Sequence, residues 1–509
     1  MEHLNAPAVL VPLLVIAWFT RELWPLLRRT MTAEPASVPE PEPLVKADFL
    51  SAATIAVAFY LLCLWRLATP QITYFDEVHH VRSAMEYLWG QPPHEWSHPP
   101  FAKLIMAASL RMFDVSFNPT EGVWSADTHY PDRVPIAWRF PAVCFGTLAL
   151  LGTFALTRTL FNSRSVATAA TTLLALDGVF FVHSRIGMTN IFTVCFIVYG
   201  TLGTWLCLKR ADRRWLLLSG VALGLALCTR WSSLWAWGLN GLLLIWHLVR
   251  VEIPRWQQEK RSIPLELARW AVTVGAAMLL LPLALYLVSY IPFVLQGTGD
   301  WQTKLLSSGE KGTPDWSRVF ERNHYAHGHG WYKVLNQQKD MWNYHAEIKD
   351  THPYSAPWWS WPLMLRPTWY HFHGANNSST GIWAIGNAVL WWTSVPVLAA
   401  TALLAVRERI HALGVVSLLG FGMWLCWGIK ARPLVFTHYY FEAIPFACIA
   451  LAYLGWRLWQ SGDESARRFV STIAKLAGFW FIFYYPLLSA QPIPDWYFRL
   501  HLWLDRIWV

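Results

Sequence analysis

The feature that most limits what this chain can fold into is the recurrence of long apolar runs, each near the ~20 residues a helix needs to cross a bilayer. They fall at roughly 49–66, 137–160, 164–182, 190–208, 215–229, 231–249, 269–295, 381–405, 411–429, 434–457 and 469–489. Inside lipid every backbone amide must be bonded within its own segment, so eleven such runs imply an all-α polytopic membrane protein. A twelfth run, 8–27, is broken by Arg21, Glu22 and two prolines. It reads as a span, an interfacial helix or an uncleaved signal anchor. Composition agrees, since only 14% of the 509 residues are charged, against about a quarter in an ordinary soluble domain.

The basic residues give an orientation. The net charge of +9 is not gathered in one patch, which argues against nucleic-acid binding. Arginines and lysines instead cluster between runs, at Lys209–Arg214, Arg250–Arg269, Arg407–Arg409 and Arg457–Arg468. If all four clusters are cytoplasmic, two long loops, 67–136 and 296–380, lie on the outer face together with most of the histidines. The expected organisation is an apolar segment and Pro/Glu linker over 1–48, a catalytic membrane domain over 49–489 and an outer tail over 490–509. All seven cysteines sit in apolar runs, with no disulfide framework or zinc spacing.

Chemistry is concentrated in the outer loops. In "ITYFDEVHHVRSAMEYL" the neighbours Asp76 and Glu77 cannot share one face of the expected surface helix, so they should have different jobs. A carboxylate held among apolar groups near the bilayer can have its pKa raised toward neutrality, as a general base requires. The plainer reading is a helix start stabilised by the dipole. Next comes "EWSHPPFAKLI", whose prolines fix the direction of His98 ahead of Lys103. His98 could join Glu77 around a divalent cation (Mg, Mn or Zn), donate to a phosphate, or simply mark a helix start. Arg139, Arg185 and Arg230 stand singly at the outer ends of apolar runs, where a cation either snorkels or binds an anion. With Lys103 on the same face, they suggest a site for a lipid phosphate.

The large loop adds three weaker signals. His324, His327 and His329 read as a Gly-rich polar turn more readily than as metal ligands. "THPYSAPWWSWPLMLRPTWYHF" has too many prolines for a spanning helix and suits an interfacial lid or groove. Asn376 and Asn377 each open an Asn-x-Ser triplet, a short signal by itself.

The order of motifs is more specific than any one of them. An acidic pair, His-Pro-Pro-x-x-Lys, "WRFPA", "HSRIGMTN", "TRWSSLW", "THPYSAPWWSWPLMLRP" and "THYYFEAIPF" follow one another from about residue 70, and the pattern runs on to the terminal "LHLWLDRIWV". This resembles the protein O-mannosyltransferase family. The resemblance implies a GT-C glycosyltransferase that takes mannose from a polyprenyl phosphate mannose and attaches it to Ser or Thr of a polypeptide at the outer face. It implies Asp76 as the base and Glu77 as its supporting neighbour. Arg139, Arg185 and Arg230 match basic positions near the donor phosphate. A metal held by Glu77 and His98 is suggested only by more distant lipid-linked sugar transferases. The outer loop of 296–380 is too short for the β-trefoil module of eukaryotic members, so a bacterial-type protein of the cell membrane is expected. Asn190 stands where the family often has Asp. The alternatives are a related enzyme acting on a glycolipid or cell-wall glycan, and a transporter. A transporter would hold its ionisable groups nearer mid-membrane.

Overall fold

The computed structural model describes residues 6–32, 43–115, 128–296, 330–429 and 432–502. The Pro/Glu linker and the His324, His327 and His329 triplet lie outside the described residues. Among the described residues, nine helices are long and apolar enough to cross a membrane. Eight correspond to expected runs: Lys46–Leu64, Arg133–Phe161, Asn190–Arg210, Ser233–Gln258, Ile263–Ser289, Ala388–Arg407, His411–Gly428 and Glu464–Leu488. The ninth, Val9–Met31, is the interrupted amino-terminal run, which has the length and composition of a span.

Three expected runs are altered, each for a visible reason. The run 164–182 is two helices, Arg164–Ala175 and Gly178–His183, parted at Asp177. Buried Asp177 accepts from the Phe180 amide, the Asn387 amide and Trp391 Nε1 at 2.7–3.0 Å. Asn387 in turn bonds the carbonyls of Leu176 and Ala477 and caps the helix Ala388–Arg407. The run 215–229 is a helix of only 13 residues, Trp215–Leu227. The run 434–457 opens with the 3-10 helix Thr437–Glu442 and becomes α-helical only at Ile444–Gln460.

Close helix packing depends on small residues, as expected where lipid supplies no hydrophobic drive between helices. A methyl at Gly203 would stand 2.5 Å from the Ser219 amide, and one at Gly220 would stand 1.9 Å from the Ala277 carbonyl. The short helix Trp215–Leu227 is therefore clamped on both sides. The Thr204 and Ser219 hydroxyls meet across one of those contacts at 2.8 Å. Helix Asn190–Arg210 is the most enclosed of the spanning candidates and Ile263–Ser289 the most peripheral.

Two layers of non-spanning structure cap one end of the bundle. In one, helices Glu77–Leu88 and Phe101–Met112 pack together. In the other, strands β1 (Thr368–Ala375) and β2 (Ser378–Ala384) form a hairpin, and β3 (Ile493–Pro494) from the tail pairs with β2. Asn376 and Asn377 are its two turn residues, at φ 54° and 58°. Such a turn demands left-handed backbone, which asparagine tolerates. The expected span 381–405 therefore starts inside a strand. At the other end, Arg457 pairs with Glu408 at 2.6 Å and Arg158 with Asp48 at 2.8 Å, joining helix termini where the basic clusters lie.

Candidate active site

Glu77 and Arg139 form the fixed frame of the site. Both side chains are fully buried, and the guanidinium meets the two carboxylate oxygens through Nε and Nη2, each at 2.9 Å. Its remaining three N–H groups reach the carbonyls of Leu67, Pro70 and Ile72 at 2.7–3.0 Å. All five guanidinium donors are thus engaged by protein. Arg139 has none left for a phosphate, which corrects its expected role as a donor-phosphate ligand. Its geometry is that of a clamp on the loop before Asp76. Glu77 Oε1 also accepts from the Gly187 amide at 2.9 Å. The "SRIGM" segment therefore contributes a backbone amide, and a methyl at Gly187 would stand 2.8 Å from Val81.

Asp76 is held differently. The clamp brings the chain through Phe75 at φ 50°, a left-handed conformation that a bulky residue adopts only when its surroundings impose it. Phe75 is stacked on Tyr370 of β1, with centroids 4.0 Å apart. Asp76 follows as the residue before helix Glu77–Leu88, yet its side chain makes no capping bond. It stands at the start of the helix, as the plainer reading has it, but no amide of the first turn bonds its carboxylate. Its half-buried carboxylate accepts no hydrogen bond from the described residues. Burial raises its pKa to about 6, against the opposing pull of His79 and Arg230, with Glu95 adding to the rise. A base must be unprotonated to act, so activity should climb as pH rises through about 6 and level above it. Initial rates between pH 5 and 8 test this, and a flat profile would count against Asp76.

Lys103 and His98 belong to a neighbouring structural knot. Lys103 Nζ donates to Glu95 Oε2 at 2.6 Å and to the carbonyls of Glu95 and His98, which engages all three of its protons. It is buried and has no proton left for an anion, a second correction. His98 Nδ1 faces Glu95 Oε1 at 3.0 Å. Burial would raise the pKa of Glu95, but Lys103 and His98 outweigh it and hold the carboxyl well below its usual range. Glu77 and His98 are thus engaged by separate partners, and no group of three potential metal ligands is found among the described residues. The residues present do not fit a metal held by this pair. His345, on helix Gly330–Glu347, completes the knot with Nε2 on the Ser97 carbonyl at 2.8 Å and Nδ1 on Arg432 at 2.9 Å.

Arg185 and Arg230 differ from the other two cations. Arg185 Nη2 bonds the carbonyls of Trp65 and Arg66, while its buried Nη1 has no partner. Arg230 lies over the Tyr439 ring at 5.1 Å, and no hydrogen bond engages its guanidinium among the described residues. Its charge reaches Asp76, His98, His183, His438 and Glu442. Among the described residues a cation without a hydrogen bond thus acts electrostatically on a carboxylate without one. Such a pair suits a displacement that removes a proton from one group and leaves negative charge on another.

Two family models match this chain. One, described as dolichyl-phosphate-mannose-protein mannosyltransferase, covers residues 53–294. The other, described as the C-terminal four TMM region of protein-O-mannosyltransferase, covers residues 330–507. The chain belongs to the protein O-mannosyltransferase family. Among curated members, the polyprenol-phosphate-mannose–protein mannosyltransferase of Corynebacterium glutamicum is 24% identical over 455 residues, or 80% of each chain. That of Mycobacterium tuberculosis is 24% identical over 506 residues, covering 88% of this chain and 89% of its own. In fold, the chain is similar to the Saccharomyces cerevisiae protein O-mannosyltransferase Pmt1–Pmt2 complex bound to the sugar donor. The match has a TM-score of 0.74 over 94% of both chains at 16% identity. The protein is thus a multi-pass membrane glycosyltransferase of GT-C fold.

Residues outside the expected set also converge on this mannosyltransferase site. Tyr370 of β1 meets His183 Nε2 at 3.0 Å, and His438 lies against His183 at a ring distance of 5.3 Å. Glu95 ties Ser97, His98 and Lys103 together in the segment after helix Glu77–Leu88. The motif "THYYFE" carried His438, Tyr439 and Glu442 in plain view, but inside a run that read as membrane helix. Asn190, the departure from the family pattern, is buried with Oδ1 unpartnered.

Proposed function

We propose that this protein transfers mannose from a polyprenyl-phosphate-mannose donor to Ser or Thr hydroxyls of polypeptides at the outer face of the membrane. The observation that carries this reading is two charges that no hydrogen bond engages among the described residues, the Asp76 carboxylate and the Arg230 guanidinium, acting on one another at the end of the bundle opposite the basic clusters. The names of the relatives from Corynebacterium glutamicum and Mycobacterium tuberculosis support the donor and the acceptor class.

A Ser or Thr hydroxyl is too weak an acid to attack unaided. Asp76 accepts its proton as the oxygen closes on the anomeric carbon. The bond from that carbon to the phosphate oxygen breaks, and the leaving polyprenyl phosphate keeps the electron pair. It needs positive charge rather than a proton, and Arg230 supplies that where charge develops. One displacement inverts the anomeric centre, from a β-linked donor to an α-mannoside, and it needs one catalytic carboxylate. Glu77 is a positioning residue, held by Arg139.

Purified protein incubated with radiolabelled polyprenyl phosphate mannose and a Ser/Thr-rich peptide should label the peptide. Label in a glycolipid instead would favour the alternative acceptor class. Arg230→Ala should lower the rate by roughly 10²–10³-fold with weaker use of the donor. An unchanged dependence on donor concentration would remove Arg230 from the phosphate site.

A further inference from the structure

The 3-10 helix Thr437–Glu442 holds two buried polar atoms that the proposed displacement does not use. Glu442 is 4% exposed, and while Oε1 accepts from Ser232 Oγ at 2.9 Å, Oε2 has no partner. His438 is 1% exposed, and its Nδ1 also has none. A buried carboxylate oxygen and a buried imidazole nitrogen without partners are exceptions in folded proteins, and each asks for a group that completes it. His183, whose ring lies 5.3 Å from that of His438, has its Nδ1 in the same condition. Three such atoms, two on one short helix and the third on a ring packed against it, point to a polar ligand rather than to three separate defects.

Their position relates them to the reaction. Arg230 lies over Tyr439 of the same segment at 5.1 Å, and Ser232, two residues on, bonds Glu442, so the segment borders the Arg230 site. Phe75, the residue before Asp76, stacks on Tyr370 and meets His438 edge-on at 6.0 Å. No ion pair forms between Arg230 and Glu442 within 4.0 Å among the described residues, and Glu442 Oε1 is taken by Ser232. With the phosphate at Arg230 and the acceptor hydroxyl at Asp76, the attacking and leaving oxygens lie on opposite faces of the anomeric carbon. The hydroxyls of the sugar ring then project sideways from that line, toward whatever wall lies beside it. Thr437–Glu442 borders both residues, since Arg230 overlies its Tyr439 and Phe75, next to Asp76, meets its His438. A sugar hydroxyl both donates and accepts, a carboxylate oxygen accepts, and an imidazole nitrogen does either according to its tautomer.

We propose that Glu442 Oε2 and His438 Nδ1 read ring hydroxyls of the donor hexose and so set which sugar is transferred. This rests on the mannosyl-transfer reading of the same site. A site built to bond a hydroxyl rejects an analogue lacking it far more strongly than an apolar pocket rejects a change of size.

The test uses the full-length protein with polyprenyl phosphate mannose, the glucosyl epimer and a set of monodeoxy-mannosyl donors. Sugar-free polyprenyl phosphate serves as competitor. In the wild type at least one deoxy donor should be used roughly tenfold or more less efficiently than the mannosyl donor. In Glu442→Ala or His438→Ala that ratio should shrink toward unity for the hydroxyl each residue reads. The affinity for sugar-free polyprenyl phosphate should stay unchanged. Glu442→Gln, which keeps shape and one acceptor, should give an intermediate ratio and serves if the alanine variant fails to fold. A full ratio in all three variants would overturn the proposal. So would a parallel loss of polyprenyl phosphate affinity, which would mean that Glu442 acts through Arg230. Absence of transfer by the wild type would instead defeat the parent reading.

Discussion

Asparagine in place of Asp76 is expected to reduce mannosyl transfer by roughly 10²–10⁴-fold, the range that removal of a general base produces. The substitution is nearly isosteric. Because the Asp76 side chain caps nothing and accepts no hydrogen bond among the described residues, the fold should not notice the change. Melting temperature and membrane insertion should therefore match the wild type while the rate collapses. Near-normal activity would end the base mechanism. A large loss of stability would mean that the carboxylate has a structural partner after all.

Glu77→Gln should do the reverse. Glu77 and Arg139 are fully buried, and removing one member of such a pair leaves an uncompensated charge in the interior. The expected cost is about 3–5 kcal/mol, visible as a clear fall in the unfolding temperature of the detergent-solubilised protein. Activity should fall too, because the loop before Asp76 is clamped by Arg139 through three carbonyls. Arg139→Lys would be no remedy, since an ammonium offers three donors where the clamp engages five. If Glu77→Gln melted with the wild type, the frame would not depend on this pair. Two adjacent carboxylates thus separate by experiment, one by its rate and the other by its stability.

Much of this was legible in the sequence. Hydrophobic length marked eight of the nine spanning candidates and flagged the ninth. The adjacency of Asp76 and Glu77 implied unequal duties, and their surroundings do differ, Glu77 being paired with Arg139 while Asp76 caps nothing. The arginines were harder. A lone Arg at the end of an apolar run looks the same whether it awaits a phosphate or clamps a loop. What decides is how many carbonyls face it, and Leu67, Pro70 and Ile72 are distant in sequence from Arg139. Lys103 was misread for the same reason, because its partner Glu95 reads as an ordinary loop carboxylate. The β hairpin had its signal in the Asn376-Asn377 turn, which the long apolar stretch beginning at Gly381 concealed. His438 and Glu442 were hidden by the apolar company they keep, and only Arg230, some 200 residues earlier, gives them meaning.

The Asp177–Asn387 contact has a wider consequence. The two stretches recognised by separate family models, 53–294 and 330–507, look from sequence like modules that could be traded. Asp177 and Asn387 stitch them through a buried carboxylate, an amide and the capped helix Ala388–Arg407. The carboxylate at 76 and the cation at 230 come from the first stretch, and Tyr370, His438 and Glu442 from the second. Neither half carries the whole of the proposed reaction centre, so recombination between relatives should succeed only where both sides of that seam are inherited together.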